Sequence, residues 1–223
     1  MSLLSRIPTR NLDVSSMQEI GHGAERRCFV DPKHPRILYK CSNLNNCKQS
    51  LKEAGYYRHL QKRHVPMTYL PRMFDYFKTE RDFVMVQECI RDTPRYKVYD
   101  FPELISNPCF DVRYIQHLQQ AYEKFRDYLL RYRIVTNDTF AHNFMVKLPR
   151  GCAPFTNAEK ATAQSEPNAW KLILIDGLGS VSFIPLAHYA RTFAEKRIHK
   201  QCLKFINSVQ STSHGRIILT PFD

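Results

Sequence analysis

Long hydrophobic runs are missing from this sequence: none approaches the roughly 18 apolar residues that a membrane-spanning helix needs. Met1 to Arg10 lacks an apolar h-region, so no signal peptide is expected and the chain reads as cytoplasmic. Cys-x-x-Cys pairs are also missing. Seven cysteines (Cys28, Cys41, Cys47, Cys89, Cys109, Cys152 and Cys202) are scattered without a pattern, which predicts reduced thiols rather than a disulfide framework. The nine histidines do not fall at ligand spacing from these cysteines, so a structural zinc site is not expected. There is no internal repeat, no low-complexity tract and no Gly-Arg run.

What is present is a hydrophobic fraction of 43%, enough for a true core, over 223 residues. That length fits one domain or two small lobes sharing a cleft. Lys and Arg outnumber Asp and Glu by 33 to 21, for a net charge of +12. Such an excess attracts anions: phosphorylated or acidic substrates, nucleic acid or anionic lipid.

Taken in order, Met1 to Ser16 reads as a leader. Ile20-Gly21-His22-Gly23 through Cys28-Phe29-Val30 predicts a strand, a tight turn and a returning strand. Glycines there let backbone amides approach phosphate oxygens, although Arg26 occupies the third position of a full G-x-G-x-x-G. Asp31 to Pro35 reads as a loop, and Ile37 to Cys41 as a short strand carrying Lys40. A lysine in a buried strand needs a partner. Glu53 supplies one, thirteen residues on, in a helix predicted over Leu51 to Arg63 from the spacing of Leu51, Ala54, Tyr57 and Leu60. Strands are predicted over Met73 to Lys78 and Phe83 to Glu88, joined by the polar turn Thr79 to Asp82. The second ends at Gln87-Glu88-Cys89, where an adenine edge would meet the backbone.

Arg113 to Arg133 is the clearest helix, because Ile115, Leu118, Tyr122, Phe125, Leu129 and Tyr132 form one stripe. It leads into Ile134 to Asn143, in which Asp138 and Asn143 lie five apart. That is the spacing of base and metal-holding amide in a kinase-type catalytic loop. Phe144 to Leu148 and Leu172 to Ile175 are predicted to pair, bridged by a long polar loop at 149–170. The second strand runs into Asp176-Gly177-Leu178-Gly179, a place for a metal carboxylate that departs from the kinase D-F-G, with Gly177 in place of the phenylalanine and Gly179 one residue late. Pro185 to Val209 is predicted as a helix with Ala190, Phe193, Ile198, Cys202, Phe205 and Val209 on its apolar face, followed by a loosely packed tail.

Each motif alone is a common structural feature; their order is that of a protein kinase. Lys40 would clamp phosphates with Glu53 holding it extended, beneath the Gly21 and Gly23 turn and beside the Glu88 hinge. Asn143 and Asp176 would hold Mg²⁺, and Asp138 would orient or deprotonate an acceptor hydroxyl. The chain also resembles the PhoP regulatory network protein YrbL family over about Ile20 to Ile206. The resemblance rests on Ile20-Gly21-His22-Gly23 through Phe29, Tyr56 to Leu60, Tyr128 to Thr136, Asn143, Ile175-Asp176 with Gly179, and Phe183 to Ala187. It implies a bacterial cytoplasmic protein with a small kinase-like fold.

The expected fold is therefore α+β and protein-kinase-like. Residues 1–89 would form an N-lobe with a small antiparallel sheet and one helix, and 90–223 a reduced, mostly helical C-lobe. Departures shape the functional expectation. Phe140 stands where kinases carry a cation two residues after the aspartate, and Thr136 and Asn137 replace the histidine and arginine before it. Arg26 or Lys147 would have to compensate. Only 47 residues follow Asp176, which favours an anionic small-molecule, glycan or lipid-headgroup acceptor over a peptide. The leading expectation is an ATP- and Mg²⁺-dependent phosphotransferase. A pseudokinase acting as a nucleotide-responsive module comes next, and a basic nucleic-acid-binding domain last, because the aromatics are spent on apolar faces.

Overall fold

The computed structural model describes residues 3–23, 25–155, 169–179 and 191–221. The chain divides into two units, Met1–Met67 with Pro71–Ile90, and Thr68–Leu70 with Arg91–Asp223. Among the described residues no helix is long and apolar enough to cross a membrane. All seven cysteines are free thiols.

The first unit is built on five antiparallel strands: β1 (Gln18–His22), β2 (Arg27–Val30), β3 (Ile37–Asn43), β4 (Met73–Lys78) and β5 (Asp82–Glu88). Their order in the sheet is β1-β2-β3-β5-β4. Strand alternation divides their side chains between two faces. On one face Phe29, Cys41, Phe77 and Val84 form a cluster. Burial there pushes the Cys41 thiol up to about 12, so it stays protonated. The predicted leader is ordered and closes this face: Leu12, Val14 and Met17 pack on the cluster. Pro8 and Arg10 extend the edge of β4 through main-chain bonds of 2.9 Å to Lys78. An exposed strand edge and an apolar sheet face both need covering, and this segment covers both.

Helix α1 (Lys48–Lys62) lies against β4 and β5. It buries Ala54, Tyr57 and Leu60 as the spacing predicts, together with Ser50, Glu53 and Tyr56. Ser50 fixes it to β3 through a 2.6 Å bond to Ser42, and Gln61 donates to the Met73 carbonyl at 2.7 Å.

The second unit has a three-stranded antiparallel sheet, ordered β6 (Tyr96–Asp100), β7 (Phe144–Pro149) and β8 (Lys171–Leu174). Among the described residues, helices α2 (Phe101–Ser106), α3 (Ile115–Tyr132) and α4 (Arg191–Thr212) accompany it. Strand β6 and helix α2 are additions to the expected elements. The helix starts cleanly because the Asp100 carboxylate accepts the Glu103 amide at 3.0 Å. The core is aromatic: Phe144 and Phe205 lie 4.8 Å apart by ring centroid, with Phe101, Tyr122 and Phe125 around them. The Thr68–Leu70 segment belongs here because Tyr69 packs on Phe125 and Tyr128 and its carbonyl accepts Leu174 N at 3.0 Å.

Three expectations need correction. Phe193 is not on the buried face of α4 but 58% exposed, whereas Ile198, Cys202, Phe205 and Val209 are buried as expected. The tail is packed rather than loose. Ile217 and Leu219 are buried, and the Arg216 guanidinium donates to the carbonyls of Ile105, Ser106 and Asn107 at the end of α2. Trp170, assigned to a polar loop, is 1% exposed and stacks on Tyr114. Residues 156–168 of that loop, and Phe183 to Ala190 including Pro185, lie outside the described residues.

Candidate functional site

In the first unit the chemistry centres on Glu53. Its helix turns it towards the sheet, where it is 2% exposed. Lys40, in mid-strand β3 and 5% exposed, stands with Nζ 3.7 Å from one carboxylate oxygen. The other oxygen receives Arg26 Nη1 at 2.5 Å. The sequence pattern pairs Lys40 with Glu53 but does not reveal Arg26 as the closer partner. Arg26 replaces the third glycine of the turn and is 7% exposed. Three buried charges thus share one site, two positive and one negative. A lone carboxylate in that place would be costly, and so would either cation.

The turn itself is closed by a 2.7 Å bond from Gly23 N to the Arg26 carbonyl. A Cβ added at Gly21 would meet nothing nearer than 3.6 Å, and at Gly23 nothing nearer than 3.8 Å. The chain's own packing therefore does not require glycine at either position. At the end of β5, Glu88 N donates to the Arg72 carbonyl and Cys89 N to the Arg36 carbonyl, both at 2.8 Å. Those two amides are committed within the unit, so an adenine edge at this hinge would depend on other backbone groups. Gln87, just before it, is fully buried, and neither end of its amide has a hydrogen-bond partner among the described residues.

In the second unit the predicted catalytic-type loop is held by its backbone. Helix α3 stops at Arg133, which takes the left-handed conformation (φ 49°, ψ 49°) and sends its N–H back to the last turn. Residues 135–138 then run beside Gly177 to Gly179. Asn137 N and Asp138 N both donate to the Gly177 carbonyl, at 2.8 and 3.4 Å, and Gly179 N donates to the Val135 carbonyl at 3.1 Å. Gly177 has φ +80°, and a Cβ on it would stand 2.3 Å from the Asp138 carbonyl oxygen. Glycine in place of the usual phenylalanine is therefore what lets the two loops touch.

Asn143 is placed from the other side. Its carbonyl accepts Ile175 N at 2.8 Å, and Phe144 pairs with Leu174 across β7 and β8. Asn143 and Asp176 thus leave neighbouring strand ends. The Asp176 carboxylate caps its own turn by accepting Gly177 N at 2.7 Å. Asp138 is 37% exposed and accepts Phe140 N at 3.0 Å.

Several supporting residues escape the sequence reading. Gln201 on α4 donates to the Asn137 carbonyl at 3.0 Å. Thr139 Oγ1 donates to the Gln201 carbonyl at 2.6 Å, and Ser208 Oγ accepts Ala141 N at 2.9 Å. These contacts span more than sixty positions, and no local pattern announces them. His142 is a further surprise. Its Nε2 lies 3.8 Å from Asp138, and its ring stacks on Phe140. The aromatic side chain that replaces the expected cation therefore supports a residue able to carry positive charge. Lys147 sits farther along β7, paired with Val98 and Lys171.

The donor set suits Mg²⁺, which prefers oxygen ligands and binds through one or two protein groups plus phosphates and water. Among the described residues no group of three or more His, Cys, Asp or Glu side chains could hold a metal by themselves. An Asn143 amide and an Asp176 carboxylate fit a cation that arrives with a phosphate-bearing ligand.

The family model described as PhoP regulatory network protein YrbL matches residues 12–210. The chain belongs to that family. No curated protein matches the sequence. Among solved structures, a crystal structure of the BubR1 kinase domain superposes with a TM-score of 0.51 at 19% identity, covering 77% of this chain and 50% of that one. This YrbL-family chain thus has a protein-kinase-like fold and spans about half the length of the kinase domain it matches.

Proposed function

We propose that this YrbL-family protein binds ATP with Mg²⁺ and transfers the terminal phosphoryl group to a hydroxyl of a non-peptide acceptor. The observation that carries the reading is the main-chain lattice presenting Asp138, Asn143 and Asp176 together in the second unit. The buried Lys40–Glu53–Arg26 site in the first unit supports it. Neither Gly21 nor Gly23 is required by the chain's own packing, which fits a turn kept open for a ligand.

In this reading Lys40 neutralises phosphate oxygens and Glu53 keeps it extended. Arg26 adds a second positive charge at the same carboxylate. Asn143 and Asp176 hold Mg²⁺, which neutralises charge on the nucleotide phosphates. Asp138 accepts the acceptor hydroxyl's proton as that oxygen bonds to the terminal phosphorus and the bond to ADP breaks. His142, when protonated, adds positive charge beside Asp138. The net charge of +12 favours an anionic acceptor, a small molecule or glycan.

A thermal-shift titration with ATP, ADP and GTP, each with and without Mg²⁺, tests this on wild type and Asp176→Asn. Ligands that bind only the folded state raise its stability by mass action. A shift that requires Mg²⁺ in wild type and loses that requirement in the variant is expected. No shift with any nucleotide at about millimolar concentration would overturn the reading.

Phe140 favours a second reading, a regulatory module that binds nucleotide without transferring phosphate, because no fixed cation stands at its position. The two separate on turnover. Slow ADP release that is abolished by Asp138→Asn supports the enzyme, and tight Mg²⁺-dependent binding with the same ADP release in both proteins supports the module.

A further inference from the structure

The surface of α4 carries a feature that nucleotide chemistry does not use. Residues 193, 196, 200 and 203 follow 3-4-3 spacing and so share one face of the helix. That stripe reads Phe193, Lys196, Lys200, Leu203, and all four are exposed. Phe193 is 58% and Leu203 46% exposed, two of the large apolar side chains that the described residues leave in solvent. Lys204 flanks the stripe. The end of α3 adds Arg131 and Arg133, both exposed, which line a shallow hollow with His199 and Glu195 of α4. Glu195 is the one acid in this group.

We propose that this face of α4 docks on an anionic lipid surface. The two apolar side chains lie about 15 Å apart along the helix, given its rise per residue. Basic side chains lie between and beside them. Exposed apolar side chains gain little from a purely electrostatic partner, whereas a bilayer interface takes both kinds of group. Phe and Leu enter the headgroup boundary, while lysine stems lie along it with their ammonium groups on lipid phosphates. The opposite face of α4, with Ile198, Cys202, Phe205 and Val209, is committed to the core, so docking needs no unfolding. This inference stands apart from nucleotide binding.

Co-sedimentation of the whole protein with vesicles tests it. The vesicles are phosphatidylcholine alone, or phosphatidylcholine with about 30 mol% phosphatidylglycerol. Wild type is expected to bind only the anionic vesicles and to be released as salt rises from about 0.1 M to about 0.5 M. Phe193→Ser/Leu203→Ser and, separately, Lys196→Gln/Lys200→Gln/Lys204→Gln should each reduce partitioning about tenfold or more. Hydrogen exchange on the wild-type protein gives a readout independent of any variant: vesicles should protect residues 191–204 selectively. No preference for anionic vesicles, or no selective protection there, overturns the proposal. Wild-type binding by the serine variant, with equal binding to duplex DNA, would mark the face as a nucleic-acid patch and overturn it as well.

Discussion

The two units place their chemical groups by opposite means. In the first, Lys40, Arg26 and Glu53 are nearly inaccessible, and charges of opposite sign hold one another in the interior. In the second, Asp138 remains 37% exposed while the backbone around it is pinned to Gly177, Gly179 and α4. Side-chain charge is therefore part of the first unit's stability. The second unit can give up its acid without losing its shape. A buried charged cluster sets geometry at the cost of sensitivity to any change of charge. A main-chain lattice leaves the side chains available for chemistry.

That contrast can be broken most directly at Glu53. Glu53→Ala removes the carboxylate facing two buried cations and should cost about 3–5 kcal/mol. Denaturant unfolding followed by circular dichroism measures it, and a loss below about 1 kcal/mol would show that other groups satisfy Arg26 and Lys40. Next is Gly177→Ala. It combines φ +80° with a Cβ 2.3 Å from the Asp138 carbonyl, so a loss of about 2–3 kcal/mol is expected, together with weaker nucleotide binding. Unchanged stability would mean the two loops separate easily and the lattice is not rigid.

Gln201→Ala should cost about 1–2 kcal/mol by leaving the Asn137 carbonyl without its side-chain donor. Faster amide exchange over 134–143 would sharpen the point, since residues far from the loop hold it. The smallest stability effect belongs to Asp138→Asn, within about 0.5 kcal/mol, because the replaced group is partly exposed and its turn to Phe140 N is retained by an amide oxygen. Its effect on phosphoryl transfer should be complete while nucleotide affinity is kept. A large loss of stability would place Asp138 with the buried charges rather than with the lattice.

Much of this fold is legible in the residues because it is local. The stripe of α3 coincides with its buried face, and Met73–Lys78 is a strand at its predicted bounds. Lys40 and Glu53 announce each other because a buried strand lysine needs a carboxylate. Arg26 does not, since a charged residue after a glycine turn usually points to solvent. Gly177 reads as a departure from a motif until the Asp138 carbonyl is seen beside it. The leader and the tail lack periodicity, and their order comes from surfaces they cover elsewhere in the chain.

By itself the sequence determined the helical and strand periods, the order of the kinase-like parts and the net charge of +12. These depend on neighbours a few residues apart and on composition. Tertiary structure alone decided that Arg26 shares Glu53 with Lys40, that α4 holds the Asp138 loop through Gln201 and Ser208, and that Phe193 and Leu203 face solvent. Each of those depends on which distant segments meet, and a helical period gives the spacing of a face without saying whether protein or solvent lies against it.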